Sequence, residues 1–393
     1  MNMIPNYDID FYSDVVIADP YPHYKAMRDL GPVVWMPQHQ AYAITRYVDV
    51  RNALCNHAVF ICGEGVMMND PVNEATRDQI LCMDGAEHRR QRQLVSNPLM
   101  PGNVETLRAE IQRLATARVD ELVARGRFDG VSDFAHYLPL MVVSHMVGLP
   151  DEGREKLLDW ANHLFNTMGS LNERFLAAIG ATDAARAYVN TLDPATMLPA
   201  SWGARLFEAA AQGEITDAQA RGLMFSYVAP SLDTTINATS SALWLLGRHP
   251  DQWDAMRSDP ALIAPAIEEA MRLESPIRAF SRATTADADV DGMIIPKGSR
   301  VLIVYAAANR DERFWPEADR FNIHRKAPQQ QLAFGTGVHM CVGMHLARLE
   351  MRCLFGAFAA RVARFSVKDE ARENHNVLRG LKSLDVTIEA TVH

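Results

Sequence analysis

Apolar and polar positions follow two rhythms along this chain. Near the N-terminus they change quickly. Pro22 to Leu30 has the spacing of a short helix, and Val33–Met36 and Ala41–Thr45 read as two strands turning about Gln38, His39 and Gln40. From about residue 86 to 278 helical spacing dominates. Leu107, Ile111, Leu114, Val119 and Leu122 share one face of a predicted helix from Val104 to Arg125. Further helices are expected over Asp151–Met168, Leu171–Tyr188 and Ile263–Glu274. The most apolar stretch, Tyr137 to Pro150, contains Ser144 and His145 and reads as a buried helix. Asp217 to Arg248 predicts one helix of about thirty residues, which at ~1.5 Å per residue crosses a whole domain.

Strand signals return after that. Gly292 to Tyr305 predicts a hairpin turning at Pro296–Gly298. Residues 309–340 are rich in turn formers and have little period. A helix is expected from about Cys341 to Ala360, and Phe365–Val367 and Val386–Glu389 close the chain as strands. The predicted class is α+β, mostly α, with small sheets near both ends. Without an internal repeat or a Gly/Ser linker, residues 1–393 are expected to form a single domain.

Composition narrows the function more than the fold. Hydrophobic residues make up 48% of the chain and charged residues 22%, which suits a large apolar core and excludes disorder and fibrous classes. The balance of 39 basic to 48 acidic residues, a net charge of -9, argues against a general nucleic-acid binder. Cys55, Cys62, Cys82, Cys341 and Cys353 form no CxxC pair and are odd in number, which fits a reducing compartment. The N-terminal stretch has no basic and apolar leader, and no apolar run reaches ~18 residues. A soluble, cytoplasmic protein without a membrane segment is expected.

The segment Phe334-Gly-Thr-Gly-Val-His-Met-Cys-Val-Gly343 carries the candidate chemistry. It places a cysteine behind a glycine-rich turn at the start of a helix, where the dipole and free N–H groups favour a thiolate. Gly335 and Gly337 permit the turn, and Gly343 keeps the first helical turn slim beside a flat ligand. Phe334 is placed to shield the sulfur, and His339 to donate to an anionic group of the ligand. Two other readings of these residues stand: a buried cysteine in a Gly-rich turn, and a zinc site of His339, Cys341 and His345.

FGTGVHMCVG resembles the haem-binding signature of the cytochrome P450 family, FxxGxHxCxG, at all its fixed positions. The resemblance implies the P450 fold, with a long central helix over haem b, and Cys341 as the thiolate ligand of the iron. Glu269-Ala-Met-Arg272 is similar to the family's ExxR pair, and Trp315 to Phe321 to its meander, so Arg320 is expected to join Glu269 and Arg272 in a structural network. Asp233-Thr234 resembles the acid–alcohol pair, implying that Asp233 relays protons and Thr234 hydrogen-bonds the bound oxygen. The family commonly carries small residues just before that pair. Here Pro230 and Ser231 stand there, and the proline is expected to kink the helix and free the carbonyl of Ser226. His88 and Arg92, in a stretch similar to the family's EHxxxR, are implied to face the haem propionates together with Arg282 and His339.

The resemblance runs over nearly the whole chain and implies a monooxygenase that takes O2 and two electrons from a separate ferredoxin and ferredoxin reductase, with no fused reductase. Two stretches, Glu274–Arg282 and Gly337–Gly343, are similar to the bacterial group that demethylates para-substituted benzoates. By position, Val66, Met67, Phe165, Met168, Ser226, Ala229, Ile277 and Phe280 would line the pocket around a small hydrophobic, aromatic substrate. That group has an arginine in the loop where this chain has Glu64, so a neutral methoxyphenol or a terpenoid competes with a benzoate. A non-catalytic haem-thiolate sensor is the alternative from another class. Arg89, Arg90, Arg348 and Arg352 are candidates for a basic face that docks the electron donor.

Overall fold

In the computed structural model, which describes residues 3–149 and 156–390 and, among these, leaves out the side chains of residues 229, 389 and 390, the helix Asp217–Arg248 organises everything else. Its 32 residues span ~48 Å. Thr216 starts it with a reciprocal cap: its hydroxyl accepts from the N–H of Gln219, and the Gln219 side chain accepts from the N–H of Thr216. Arg248 closes the last turn, where a cation complements the helix dipole. Four helices pack around it, Tyr137–Val147, Leu157–Asn166, Trp202–Ala211 and Ile263–Leu273. That enclosure explains why Leu223, Met224, Leu232, Ile236 and Leu243 are all buried although they do not share one stripe.

Pro230 does not end this helix. It has no N–H to offer the carbonyl of Ser226. Around it, three hydroxyls turn back onto the preceding turn: Ser226 Oγ donates to the Gly222 carbonyl (3.1 Å), Ser231 Oγ to that of Tyr227, and Thr234 Oγ1 to that of Pro230 (2.8 Å). Such back-bonding occupies carbonyls that a distorted ladder serves poorly.

The other helices follow the periodic reading with shifted ends. The predicted Val104–Arg125 segment divides into a short turn, Pro101–Glu105, and a helix, Arg108–Arg125, which Gly126 closes in the left-handed region at φ 70°. The Asp151–Met168 segment is helical over Leu157–Asn166; its residues 151–155 lie outside the described residues. Glu173–Thr191 begins at Asn172, whose side chain accepts from the N–H of Phe175.

Ten strands among the described residues form three sheets. They are β1 (Val33–Met36), β2 (Ala41–Ile44), β3 (Phe60–Ile61), β4 (Arg127–Asp129), β5 (Phe280–Thr284), β6 (Ala288–Val290), β7 (Met293–Ile295), β8 (Arg300–Ile303), β9 (Val362–Arg372) and β10 (Leu381–Ala390). The largest sheet runs β1-β2-β8-β5-β3, so residues far apart in sequence complete each other's ladders. β10 lies between β4 and β9 and pairs antiparallel with both.

The predicted hairpin from Gly292 to Tyr305 is not formed. β7 pairs with β6, while β8 pairs with β5 and β2. The turn between β7 and β8 is instead fastened to the end of β5. Thr284 Oγ1 donates to the Pro296 carbonyl and accepts from the Ser299 N–H, and the Gly298 N–H donates to the Thr284 carbonyl. Tyr305 then opens a short helix, Tyr305–Ala308.

One apolar cluster reaches from Val33 to Ile388, and a smaller one under the N-terminal strands holds Phe11, Tyr24, Met27 and Leu302. No helix among the described residues is long and apolar enough to cross a membrane.

Candidate active site

The loop before the helix Met344–Arg361 folds back on itself. The N–H of Cys341 donates to the Phe334 carbonyl (2.9 Å) and that of Gly335 to the Leu332 carbonyl (2.8 Å). Gly337 has φ 75°, and a Cβ there would lie 2.6 Å from the Leu54 carbonyl oxygen, so position 337 needs glycine for conformation and for space. Cys341 precedes the helix rather than starting it, since the predicted Cys341–Ala360 helix begins at Met344. The sulfur still benefits from the helix start. Crowding by the protein pushes the Cys341 thiol pKa up, and the N–H groups of Gly343 and Met344 with the guanidiniums of Arg92 and Arg348 pull it back. The Cβ that Gly343 lacks would meet only Cys341 Sγ, at 4.0 Å, so the space beside the sulfur is open. Phe334 is covered by the Arg348 guanidinium, 4.7 Å from its ring centre.

Polar groups from distant parts of the chain gather beside this loop. The His88 and His339 rings lie 4.1 Å apart, and Arg92 donates to the Met340 carbonyl. Arg282 is buried, with Nη1 on the Ser281 carbonyl at 2.7 Å. Burial opposes its charge, but Tyr305, Cys62 and Asp84 outweigh that and hold it protonated. Burial and the neighbouring His339 and Arg92 push the His88 pKa down to about 4, so its ring is neutral. His88 Nε2 is shut off from solvent with no hydrogen-bond partner. An orphaned buried nitrogen beside two guanidiniums and His339 fits a group carrying carboxylates. On that observation these residues fit haem, whose carboxylates supply what they lack.

Asp84 belongs to this gathering and was not anticipated. Its Oδ1 lies 3.2 Å from His339 Nε2, and its Oδ2 accepts from the Gly63 N–H at 2.6 Å. Burial works against its charge, yet His339 and Gly63 hold its pKa below the usual carboxylate range. The group with metal-ligand spacing among the described residues is therefore Cys62, Asp84 and His339, not the zinc set of His339, Cys341 and His345. Burial pushes the Cys62 thiol up to about 12, and Arg282 stands beside it, which disfavours a cation there.

On the central helix, Asp233 is buried and its Oδ2 has no partner. Burial, with a contribution from Glu373, pushes its pKa up to about 8. Thr234 spends its hydroxyl proton on the Pro230 carbonyl, so its oxygen is left as an acceptor.

The network behind the site differs from expectation at one residue. Glu269 and Arg272 pair bidentately at 2.8 and 2.9 Å with both side chains 0% exposed. Arg272 also donates to the carbonyls of Asn309 and Ala318, both at 2.7 Å. The third charged member is Arg325, whose Nε lies 2.9 Å from both Glu269 oxygens. Arg320 is not a member: its side chain is 67% exposed and pairs with Glu317, and only its carbonyl faces the network. A backbone turn put the expected residue on the wrong side.

Several predicted pocket residues come together. The Met68 N–H donates to the Met168 carbonyl (3.2 Å), the Ser281 N–H to that of Val66 (2.8 Å), and Ser281 Oγ to that of Met67 (2.9 Å). This ties Val66 and Met67 to Met168 and to β5, which carries Phe280. Phe165 is buried on a helix packed against the central one, and Ile277 bridges to Leu378. Ser226 is half-buried on the central helix, and the side chain of Ala229 lies outside the described residues. Glu64 is exposed, and its carbonyl accepts from Arg300 at 2.9 Å. An open cavity of about 800 Å³ lies elsewhere, between Leu94, Trp202, Leu206 and Tyr227, and none of the predicted pocket residues lines it.

The four candidate arginines are not equally available. Arg348 pairs with Glu268 at 2.6 Å and Arg90 with Glu87 at 2.6 Å, while Arg352 donates to the Arg348 carbonyl and Arg89 is exposed.

The profile of the family described as cytochrome P450 matches residues 192–387. Over 391 residues the chain is 37% identical to cytochrome P450 CYP199A2 of Rhodopseudomonas palustris, covering 98% of this chain and 95% of that one. Among solved structures it is similar to P450BioI in complex with an acyl carrier protein ligated to hexadec-9Z-enoic acid, with TM-score 0.85, 25% identity, and 95% and 99% of the two chains covered. It is also similar to CYP108D1 from Novosphingobium aromaticivorans, with TM-score 0.80, 25% identity and 95% of each chain covered.

Proposed function

This chain belongs to the cytochrome P450 family of haem-thiolate monooxygenases, and we propose that it hydroxylates or O-demethylates a small hydrophobic, aromatic substrate. Electrons reach it one at a time from a separate ferredoxin served by a ferredoxin reductase. The observation that carries the proposal is the open space beside Cys341 Sγ on a loop whose His339 ring meets the orphaned His88 and whose Met340 carbonyl accepts from Arg92. Cys341 would supply the thiolate that ligates the haem iron, and His88, Arg92, Arg282 and His339 would hold the haem carboxylates. Haem, when bound, supplies the oxygen activation and the abstraction of hydrogen from the substrate.

The chain's own residues do the rest. Asp233 keeps a proton at neutral pH because burial holds its pKa near about 8. It is a proton donor next to Thr234, whose oxygen accepts a hydrogen bond because its own proton is turned to Pro230. Val66, Met67, Phe165, Met168, Ile277 and Phe280 exclude water and orient a flat apolar substrate. Glu64 is turned to solvent and does not repel a substrate carboxylate from within the pocket.

The test starts from the reduced carbon-monoxide complex, expected to show the red-shifted Soret band of thiolate ligation and to lose it in Cys341→Ala. A band that survives that substitution overturns the ligand assignment. A spin-state titration then compares benzoates, methoxyphenols and terpenoids. A shift with the aromatic compounds supports the proposed class, and a shift with terpenoids alone replaces it with alicyclic hydroxylation. Substrate binding with no product under any electron donor points to a sensor.

A further inference from the structure

The cavity between Leu94, Trp202, Leu206 and Tyr227 has no part in the reaction described above. At about 800 Å³ it has the size of a small-molecule site. Its floor is aromatic, with the Trp202 and Tyr227 rings 5.5 Å apart and tilted by 45°. Its rim is polar and carries Arg90, Gln93, Asn97, Arg205 and Glu214. Arg90 is spent: Nη2 donates to Glu87 and Nη1 to the Glu214 carbonyl, both at 2.6 Å. Arg205 is exposed, and its guanidinium has no ion pair or hydrogen bond among the described residues. The indole N–H of Trp202 has no acceptor among the described residues either, and it is not sealed from solvent. Both groups donate and neither accepts. They call for an acceptor on a flat apolar body, and a carboxylate on an aromatic ring supplies both.

The floor also touches the two elements that the active site uses. Tyr227 Oη donates to the Val95 carbonyl at 3.0 Å, on the helix Gly85–Ser96 that carries His88 and Arg92. The Tyr227 carbonyl accepts from Ser231 Oγ, two residues before Asp233 on the central helix. Gln93 and Leu94, on the wall, belong to the same helix as His88.

We propose that this cavity binds a small aromatic carboxylate as an effector, its ring on Trp202 and Tyr227 and its carboxylate on Arg205. The bound molecule holds Tyr227 against Val95 and so biases the setting of His88 and Arg92. Glu214, an exposed acid on the rim, opposes the anion and limits its affinity. The binding stands by itself, and the effect on turnover rests on the monooxygenase reading.

The experiment titrates naphthalene-2-carboxylate by calorimetry into the holoenzyme whose iron is blocked by 4-phenylimidazole. One saturable site is expected, with a Kd below about 1 mM. Arg205→Ala weakens it about tenfold, and Gln93→Trp, at an exposed position on the wall, blocks it. Glu214→Gln tightens it about twofold as the opposing charge is lost. No saturable binding, or binding unchanged in both Arg205→Ala and Gln93→Trp, overturns the site. Equal binding of naphthalene-2-carboxamide overturns the carboxylate as its ligand. The effector role is read by linkage: saturation with the probe shifts the affinity for 4-phenylimidazole about fivefold. Tyr227→Phe still binds the probe but loses that shift. An unchanged azole affinity in the unmodified protein overturns the effector role, and a shift that survives in Tyr227→Phe overturns the route through Val95. If the holoenzyme makes no product with any donor, the monooxygenase reading fails instead, and the two titrations still decide the site.

Discussion

Glu269 and Asp233 are both carboxylates removed from water in one helical core, and they are treated in opposite ways. Glu269, 0% exposed, meets Arg272 and Arg325 and accepts the N–H of Asn322 at 3.1 Å. Asp233, 7% exposed, has an oxygen with no partner at all. A buried charge that is fully paired locks the segments that carry its partners, here Ile263–Leu273 and the irregular chain from Asn309 to Arg325. A buried acid left unpaired keeps its proton instead. The first arrangement builds the fold, and the second stores a proton at the cost of stability.

The comparison can be broken most easily at its structural end. Arg272→Ala removes the inner of the two guanidiniums that hold Glu269, with its bonds to the Asn309 and Ala318 carbonyls, and is expected to cost about 3–5 kcal/mol in denaturant unfolding, with poor haem incorporation. A stable, haem-loaded Arg272→Ala protein would contradict the assigned role. Arg325→Ala removes the outer partner and is expected to cost about 1.5–3 kcal/mol, seen in the same unfolding curves.

The chemical end predicts the reverse sign. The folded-state pKa of Asp233, about 8, lies above its unfolded value. The native state therefore binds more protons between about pH 4 and pH 8, and stability falls as pH rises through that window. Asp233→Asn removes the slope. It is expected to be more stable than the parent by about 4 kcal/mol at pH 7, with the gain vanishing near pH 4, while product formation falls. Equal stability of the two proteins across that range would show that Asp233 is not held protonated. The smallest effect belongs to Arg320→Ala, which is expected to change stability by less than about 0.5 kcal/mol because its side chain meets only exposed Glu317.

What could be read from the chain was local. The helix Asp217–Arg248, the pair Glu269 and Arg272 three residues apart, the Asp233-Thr234 step and the turn before Cys341 each depend on residues close in sequence. Their periodicity or spacing decides which side chains share a face. Arg325 escaped because it reaches Glu269 from 56 positions away, out of a stretch with no period. Asp84 meets His339 across 255 positions, and no nearby pattern marks it. The expected hairpin failed for the same reason. β7 and β8 each look ready to pair with the other, but Thr284 captures the turn between them and the strands join different partners.

By itself, then, the sequence determined the main helices, because hydrophobic period and capping act over a few residues, and its short motifs carried the resemblance that implies the class of cofactor chemistry. Only the tertiary structure decided which carboxylate is paired and which is left with a proton, and which arginine closes the network. Those outcomes depend on the local dielectric and on charges brought together from distant segments, and neither exists until the chain has folded.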